Sequence, residues 1–171
     1  MHFSTVFSAI LAAGIASAAS EKIVEVTEYN AVALHGNKET NNAALQASNG
    51  RFALKLRNQH ASCDRGLIEN EVKFNINKDG ELSLYTWGRN PQVAYIDRSG
   101  MGQGIFAYAT YGDKDFNTPR TLRQRAGNKK AGGSYTLWAD CGKNPGGNKN
   151  CQAITIRAIK DKKPVACVYS V

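Results

Sequence analysis

Few residues in this chain could do acid–base chemistry. Beyond His2 there are two histidines, His35 and His60. A small basic ribonuclease pairs such an imidazole with a carboxylate on a sheet, so that one group takes a proton while the other gives one. Neither histidine stands in a motif that ties it to a carboxylate, and both fall outside the segments with clear strand periodicity. Surface or hydrogen-bonded structural roles are therefore expected for both. Asp79 and Glu81 form a close carboxylate pair, but they flank Gly80 in a turn-like string. A glycosidase needs two carboxylates facing each other across a cleft. The chain contains no G-x-S-x-G and no H-E-x-x-H, the signatures of serine and zinc hydrolysis. No catalytic residue is expected.

The string YIDRSGMGQG, residues 95–104, invites a second chemistry. Phosphate-cradling loops use glycines so that amide N–H groups can face an anion at the start of a helix. Gly100, Gly102 and Gly104 have the spacing G-x-G-x-G, and the following IFAYATY is strand-prone. The dinucleotide fingerprint needs G-x-G-x-x-G and a helix. The expectation is a tight connection between strands, with glycine supplying positive φ and Asp97 or Arg98 bonding the turn. No cofactor is expected.

Four cysteines remain: Cys63, Cys141, Cys151 and Cys167. None stands in the C-x₂-C spacing of a zinc site, so no metal is expected. In an exported chain, four cysteines imply two disulfides and allow three pairings. Cys141 and Cys151 bracket GKNPGGNKN, a flexible turn able to bring its ends together. That favours Cys141–Cys151 and leaves Cys63–Cys167. The tryptophans Trp87 and Trp138 could stack on sugar rings; core packing is the competing role for both. Trp87, beside Gly88 at the far end of a hairpin, is the candidate glycan contact.

The elements that must carry these residues are strands. RFALKLR, residues 51–57, puts Phe52, Leu54 and Leu56 on one face and Arg51, Lys55 and Arg57 on the other. That period of two marks a half-buried strand. VKFNINKDGELSLYTW reads as a hairpin turning at Asp79-Gly80,. QVAYID and GIFAYAT flank the glycine string. SYTLWAD, CQAITIRAI and VACVYSV supply later strands, and KIVEVTEYNAVALH adds one or two at the start. KKAGGSYTLWAD is a weak echo of the first hairpin. The segment from Thr118 to Lys130 has one large apolar residue, Leu122. It cannot bury a face and is expected to be an exposed basic loop with at most a helical turn. The fold expected is all-β: a single disulfide-bonded antiparallel sandwich or barrel, with a β-trefoil-like barrel among the closed forms.

The opening residues pair an apolar run, Val6 to Ile15, with Ala16-Ser17-Ala18. This reads as a secretory signal peptide over 1–18, followed by one domain over 19–171. No second apolar segment is found, so no membrane partner is expected. There is no Asn-x-Ser/Thr sequon. The chain carries a net charge of +8. Up to Tyr111, ten Lys/Arg balance ten Asp/Glu; from Gly112 onward, twelve oppose four. The whole excess therefore lies in the last third. Such a patch attracts polyanions: nucleic acid, phosphorylated glycans or anionic lipid. A merely solubilising face is the plainer alternative.

Three strings taken together resemble one family. ASCDR (61–65), YIDRSGMGQG (95–104) and the series LWADCGKNPGGNKNC to CVYS are similar, in order and spacing, to the fungal PhiA family of secreted cell-wall proteins. The family string is Asp97, Arg98, Ser99, Gly100, Met101, Gly102, Gln103 and Gly104. The resemblance covers Arg51 to the end. It implies a non-enzymatic, β-rich wall protein with disulfides, secreted and located in the cell wall. The family is associated with phialide and conidium formation and with wall integrity or stress protection, and it includes IgE-binding relatives. The implied partners are wall polysaccharides or anionic wall glycans, with no nucleic acid. The chain departs from the family in its short basic segment around 118–130, where relatives carry a longer stretch with another strand pair and a cysteine. It also has His60 where relatives have Asn, and Cys141 where they have another residue. The rival readings are a secreted cationic toxin or effector, for example a ribonuclease, and a wall-glycan-binding module.

Overall fold

The computed structural model describes residues 26–34, 38–88, 90–111, 124–129, 133–139, 144–149 and 151–171. The strands are β1 (Glu28–Leu34), β2 (Leu45–Ser48), β3 (Arg51–Leu54), β4 (Ser62–Cys63), β5 (Phe74–Ile76), β6 (Leu82–Leu84), β7 (Gln92–Asp97), β8 (Ile105–Thr110), β9 (Gln124–Lys129), β10 (Tyr135–Ala139), β11 (Thr155–Lys160) and β12 (Cys167–Val168). Two 3₁₀ turns, Asp64–Gly66 and Pro145–Gly147, interrupt them.

The fold is all-β, as the alternation predicts. One antiparallel sheet runs in the order β11-β1-β5-β6-β7-β8-β10-β3-β2, with β9 on β10 and a further β3–β8 pairing. It curls into a half-barrel rather than forming two stacked sheets. Its two ends approach where Val32 of β1 bridges Ala44, just before β2. Ala33 N–H donates to Ala43 O at 2.8 Å, and Asn42 N–H donates to Ala33 O at 2.7 Å.

The turns follow local chemistry. Asn49 and Gly50 link β2 to β3 with φ of 51° and 68°, the left-handed pair that an Asn-Gly hairpin adopts because it matches strand twist. The β5–β6 turn is organised by Asn77, whose Oδ1 accepts the N–H groups of Asp79 and Glu81, each at 2.9 Å.

Two expectations fail. The strand expected over 51–57 ends at Leu54, because Lys55 turns to φ 57° and Gln46 captures the next residue. The Gln46 side chain donates to Leu56 O at 3.0 Å and accepts Leu56 N–H at 2.6 Å. The segment expected as a basic loop instead contributes β9. Its backbone pairs with β10 from Tyr135↔Lys129 to Ala139↔Gln124. An available strand edge needs only backbone donors and acceptors, so this pairing requires no apolar periodicity.

The inner face is a ring cluster. Phe52 stacks on Phe106 with centroids 4.1 Å apart, and meets Tyr108 edge-on at 5.3 Å. Tyr108 in turn meets Tyr169 edge-on. Leu45, Leu54, Val72, Phe74, Leu84 and Leu137 complete the buried layer. Each buried large side chain contributes about 2–3 kcal/mol.

A second, two-stranded sheet pairs β4 with β12, with Cys63 opposite Cys167. These two residues, 104 apart in sequence, are disulfide-bonded. Closing so long a loop removes conformations from the unfolded chain and stabilises by about 4–5 kcal/mol in the entropy model. The double substitution Cys63→Ala/Cys167→Ala is expected to lower unfolding free energy by about 3–5 kcal/mol. Denaturant titration measures this, and reductant should then shift the variant's midpoint less than that of the unsubstituted protein.

Candidate functional site

The glycine string is the hairpin connection between β7 and β8, whose last pair is Asp97↔Ile105. Five amides of this stretch, those of Ser99, Gly102, Gln103, Gly104 and Ile105, are already occupied. Asp97 Oδ1 accepts Ser99 N–H at 2.8 Å, and Ser99 Oγ accepts Gly102 N–H at 3.0 Å. Gln103 N–H reaches Ser99 O, Gly104 N–H reaches Asp97 O, and Ile105 N–H reaches Gly102 O. Donors aimed inward at the turn do not cradle a phosphate. Gly102 is buried against the Asp97 carboxylate: a Cβ there would lie 1.9 Å from Asp97 Cγ. Gly104 has φ 92°, and its carbonyl accepts Ala139 N–H of β10 at 2.6 Å. Gly100 has open space around it. Arg98, Ser99, Met101 and Gln103 are exposed, and Met101 at the tip is 95% exposed. Of the two charged residues, Asp97 is the one that bonds the turn.

Trp87 stands beside the disulfide ladder. Its Nε1–H donates to Ser62 O at 3.0 Å while 50% of its surface stays exposed. Val168, opposite Ser62 in the ladder, is also exposed. Trp138 instead serves packing. Its Nε1–H donates to Thr136 Oγ1 at 3.1 Å, and the Pro145–Gly147 turn lies on its ring, where a Cβ on Gly146 would come 2.3 Å from Cη2.

His60 is exposed with φ 54°, and its N–H donates to Asn58 Oδ1. His35 lies outside the described residues. Asp79 and Glu81 are exposed in the β5–β6 turn. Cys141 and most of the segment 112–133 also lie outside the described residues, so Cys141–Cys151 stays an expectation. Cys151 forms no disulfide among the described residues, and burial raises its thiol pKa. Among the described residues no cluster of His, Cys, Asp and Glu is placed to hold a metal.

Periodicity did not reveal the polar groups that matter most inside. Lys73 is buried, with its Nζ 2.9 Å from Asp161, 3.5 Å from Glu71 and 3.7 Å from Glu69. Burial alone would lower its pKa, but Asp161 and the two glutamates outweigh that, and the net shift is upward. Burial likewise pushes Asp161 up, yet the bond from Lys73 and the N–H of Lys163 carry it below the usual range. Burial raises the pKa of both Tyr108 and Tyr169. Gln92 and Gln59 act as surrogate peptide groups. Gln92 donates to Tyr169 O at 2.7 Å and accepts Tyr169 N–H at 2.9 Å. Gln59 donates to Glu69 O and Glu71 O and accepts Ala47 N–H.

A curled antiparallel sheet clipped by one long-range disulfide and carrying a glycine-string hairpin defines a small β-rich disulfide protein. The chain belongs to the PhiA-like secreted protein family, whose model matches residues 29–170. It is 31% identical over 189 aligned residues to cell wall protein phiA of Aspergillus fumigatus, covering 99% of this chain and 100% of that one. It is 32% identical over 182 residues to cell wall protein phiA of Emericella nidulans, covering 95% and 96%. It is 32% identical over 184 residues to cell wall protein phiA of Arthroderma benhamiae, covering 95% and 98%. No solved structure matches.

Gly102→Ala should displace the Asp97 carboxylate and cost about 2–4 kcal/mol, through overpacking and a lost turn bond. Gly100→Ala should stay within about 0.5 kcal/mol; chemical denaturation compares the two. The raised pKa values of Lys73, Tyr108 and Tyr169 mean that the folded state holds their protons more tightly. Their contribution is complete below the unfolded values of about 10 and is lost as pH rises through the folded ones. The lowered pKa of Asp161 acts on the acid side, and its contribution is lost as pH falls from about 4. Unfolding free energy should therefore fall above about pH 10, with tyrosinate absorbance appearing together with unfolding. Tyr169→Phe should flatten that alkaline limb.

Proposed function

We propose that this protein is a non-enzymatic component of the fungal cell wall, retained there by noncovalent contacts between its basic last third and anionic wall glycans. The location rests on the family and on relatives named as cell wall proteins. The observation that carries the retention mechanism is the segregation of charge: the +8 excess lies wholly after Gly112. Opposite charges draw such a segment to polyanions over about 10 Å at moderate salt. The buried polar side chains described above are engaged with backbone or with one another, which suits a structural body. A part in phialide and conidium development, and in wall integrity, follows from the family resemblance.

A second contact is favoured by Trp87. An indole whose N–H is held by Ser62 O keeps a fixed orientation while half its surface meets solvent, so little side-chain entropy is lost when a sugar ring stacks on it.

Isolated walls washed in salt of about 1 M, where the screening length falls to about 3 Å, should release most of the protein. Protein that resists salt but leaves with glucanase would overturn the electrostatic account. Trp87→Ala should weaken binding to purified wall polysaccharide several-fold, and Trp87→Phe, which keeps an aromatic face, should retain most of it.

A further inference from the structure

An open groove of about 410 Å³ crosses the outer face of β2, β3 and β10. This is within the range of about 300–1,000 Å³ typical of small-ligand sites. Ala53 and Thr136, register partners in adjacent strands, are both buried and form its floor. Ser48, Asn49 and Ser134 line it with polar groups, and Leu56 forms an apolar wall. That wall is fixed rather than loose, because the Gln46 side chain holds both the N–H and the C=O of Leu56. Asn49 is fixed too: its left-handed backbone is set by the hairpin, and its N–H donates to Ser170 Oγ at 2.9 Å. Thr136 Oγ1 accepts the Trp138 indole N–H, so its own hydroxyl hydrogen is left to donate. The charged member is Arg51, which is exposed and makes no ion pair among the described residues.

We propose that this groove binds a short acidic saccharide, with the Arg51 guanidinium taking the sugar's carboxylate or phosphate and the Ser48, Asn49, Ser134 and Thr136 groups taking its hydroxyls. The chemistry selects the class. A planar guanidinium with no ion-pair partner among the described residues matches an oxyanion bidentately,. Among the described lining residues none carries a negative charge. A floor of small side chains beside one aliphatic wall admits a pyranose ring, whose faces are apolar and whose rim is hydroxyl. The groove borders β10, the strand that follows the basic segment, so long-range attraction and the specific site act on the same polymer. The proposal rests on the reading that the protein contacts wall glycans, and it places one contact on the folded body.

The test is calorimetric titration of the full disulfide-bonded protein at low ionic strength. The probes are a glucuronic-acid trisaccharide, mannose 6-phosphate, a neutral glucan trisaccharide and inorganic phosphate. At least one acidic sugar should bind about tenfold more tightly than the neutral one, and the tighter of the two identifies carboxylate or phosphate as the anion. Arg51→Gln should reduce that affinity about 10–100-fold, the effect of losing a charge-assisted hydrogen-bonded pair. Its unfolding midpoint should not change. Arg51→Lys should recover part of the loss, and Ser134→Ala should cost a few-fold. Unchanged affinity in Arg51→Gln overturns the site. Equal binding of the neutral trisaccharide, or of inorganic phosphate alone, overturns the ligand class. If no sugar binds yet the protein still leaves walls with salt, the groove fails and the wall reading stands. If the sugars bind but the protein is absent from walls, the wall reading fails and the groove stands.

Discussion

The half-barrel depends on the docking of residues 167–170 against it, with Cys167 and Tyr169 buried and Val168 facing out. Tyr169 is almost wholly buried, and Gln92 of β7 grips both its N–H and its C=O. Its hydroxyl accepts Lys73 N–H next to β5. Ser170 O accepts Gly50 N–H from the β2–β3 turn and the Tyr108 hydroxyl of β8. Cys167 N–H donates to Tyr85 O, and the Cys167 side chain is bonded to Cys63. Four residues thus fasten both halves of the sheet. The interior at this point is filled by the chain itself, through Tyr169.

This docking is polar, and that explains a pattern otherwise odd in a small β protein. Residues 169 and 170 enter the core as backbone rather than as part of the main sheet, so their N–H and C=O groups need partners that no neighbouring strand supplies. For Tyr169 the Gln92 side chain supplies them, because an amide is a peptide group on a tether; for Ser170 O the Gly50 N–H and the Tyr108 hydroxyl do. Gln46 and Gln59 solve the same problem for the irregular segment between β3 and β5. Lys73 is a harder case. An ammonium this buried is tolerable only with several carboxylates around it, and one of them, Asp161, comes from just beyond β11.

Much of the architecture could be read from the sequence. Strand-prone strings located β1, β7, β8, β10 and β11, alternation located the start of β3, and the Asp79-Gly80 pair located a turn, because strand propensity, side-chain period and glycine's freedom are local properties. β9 was not legible, since an edge pairing is decided by the neighbour's unpaired backbone. The early end of β3 was not legible either, since it depends on Gln46, ten residues before Leu56. Glutamine gives no periodic signal, so Gln59 and Gln92 passed unremarked. The glycine string is legible as a turn, but only the folded structure separates its glycines. Gly102 is required by the Asp97 carboxylate beneath it and Gly104 by its backbone angle, whereas nothing steric demands Gly100. Trp87 and Trp138 are alike in composition terms and differ through one covering turn, Pro145–Gly147.

The docked tail also sets the order of events in the life of the chain. Residues 167–170 are made after every strand they fasten. During synthesis and export, the earlier strands can pair locally as hairpins, but the interior stays open until these residues arrive. Native contacts of long sequence separation form slowly, and the Cys63–Cys167 bond can be drawn correctly only after that arrival. The covalent latch therefore closes only once residues 167–170 have been made and docked.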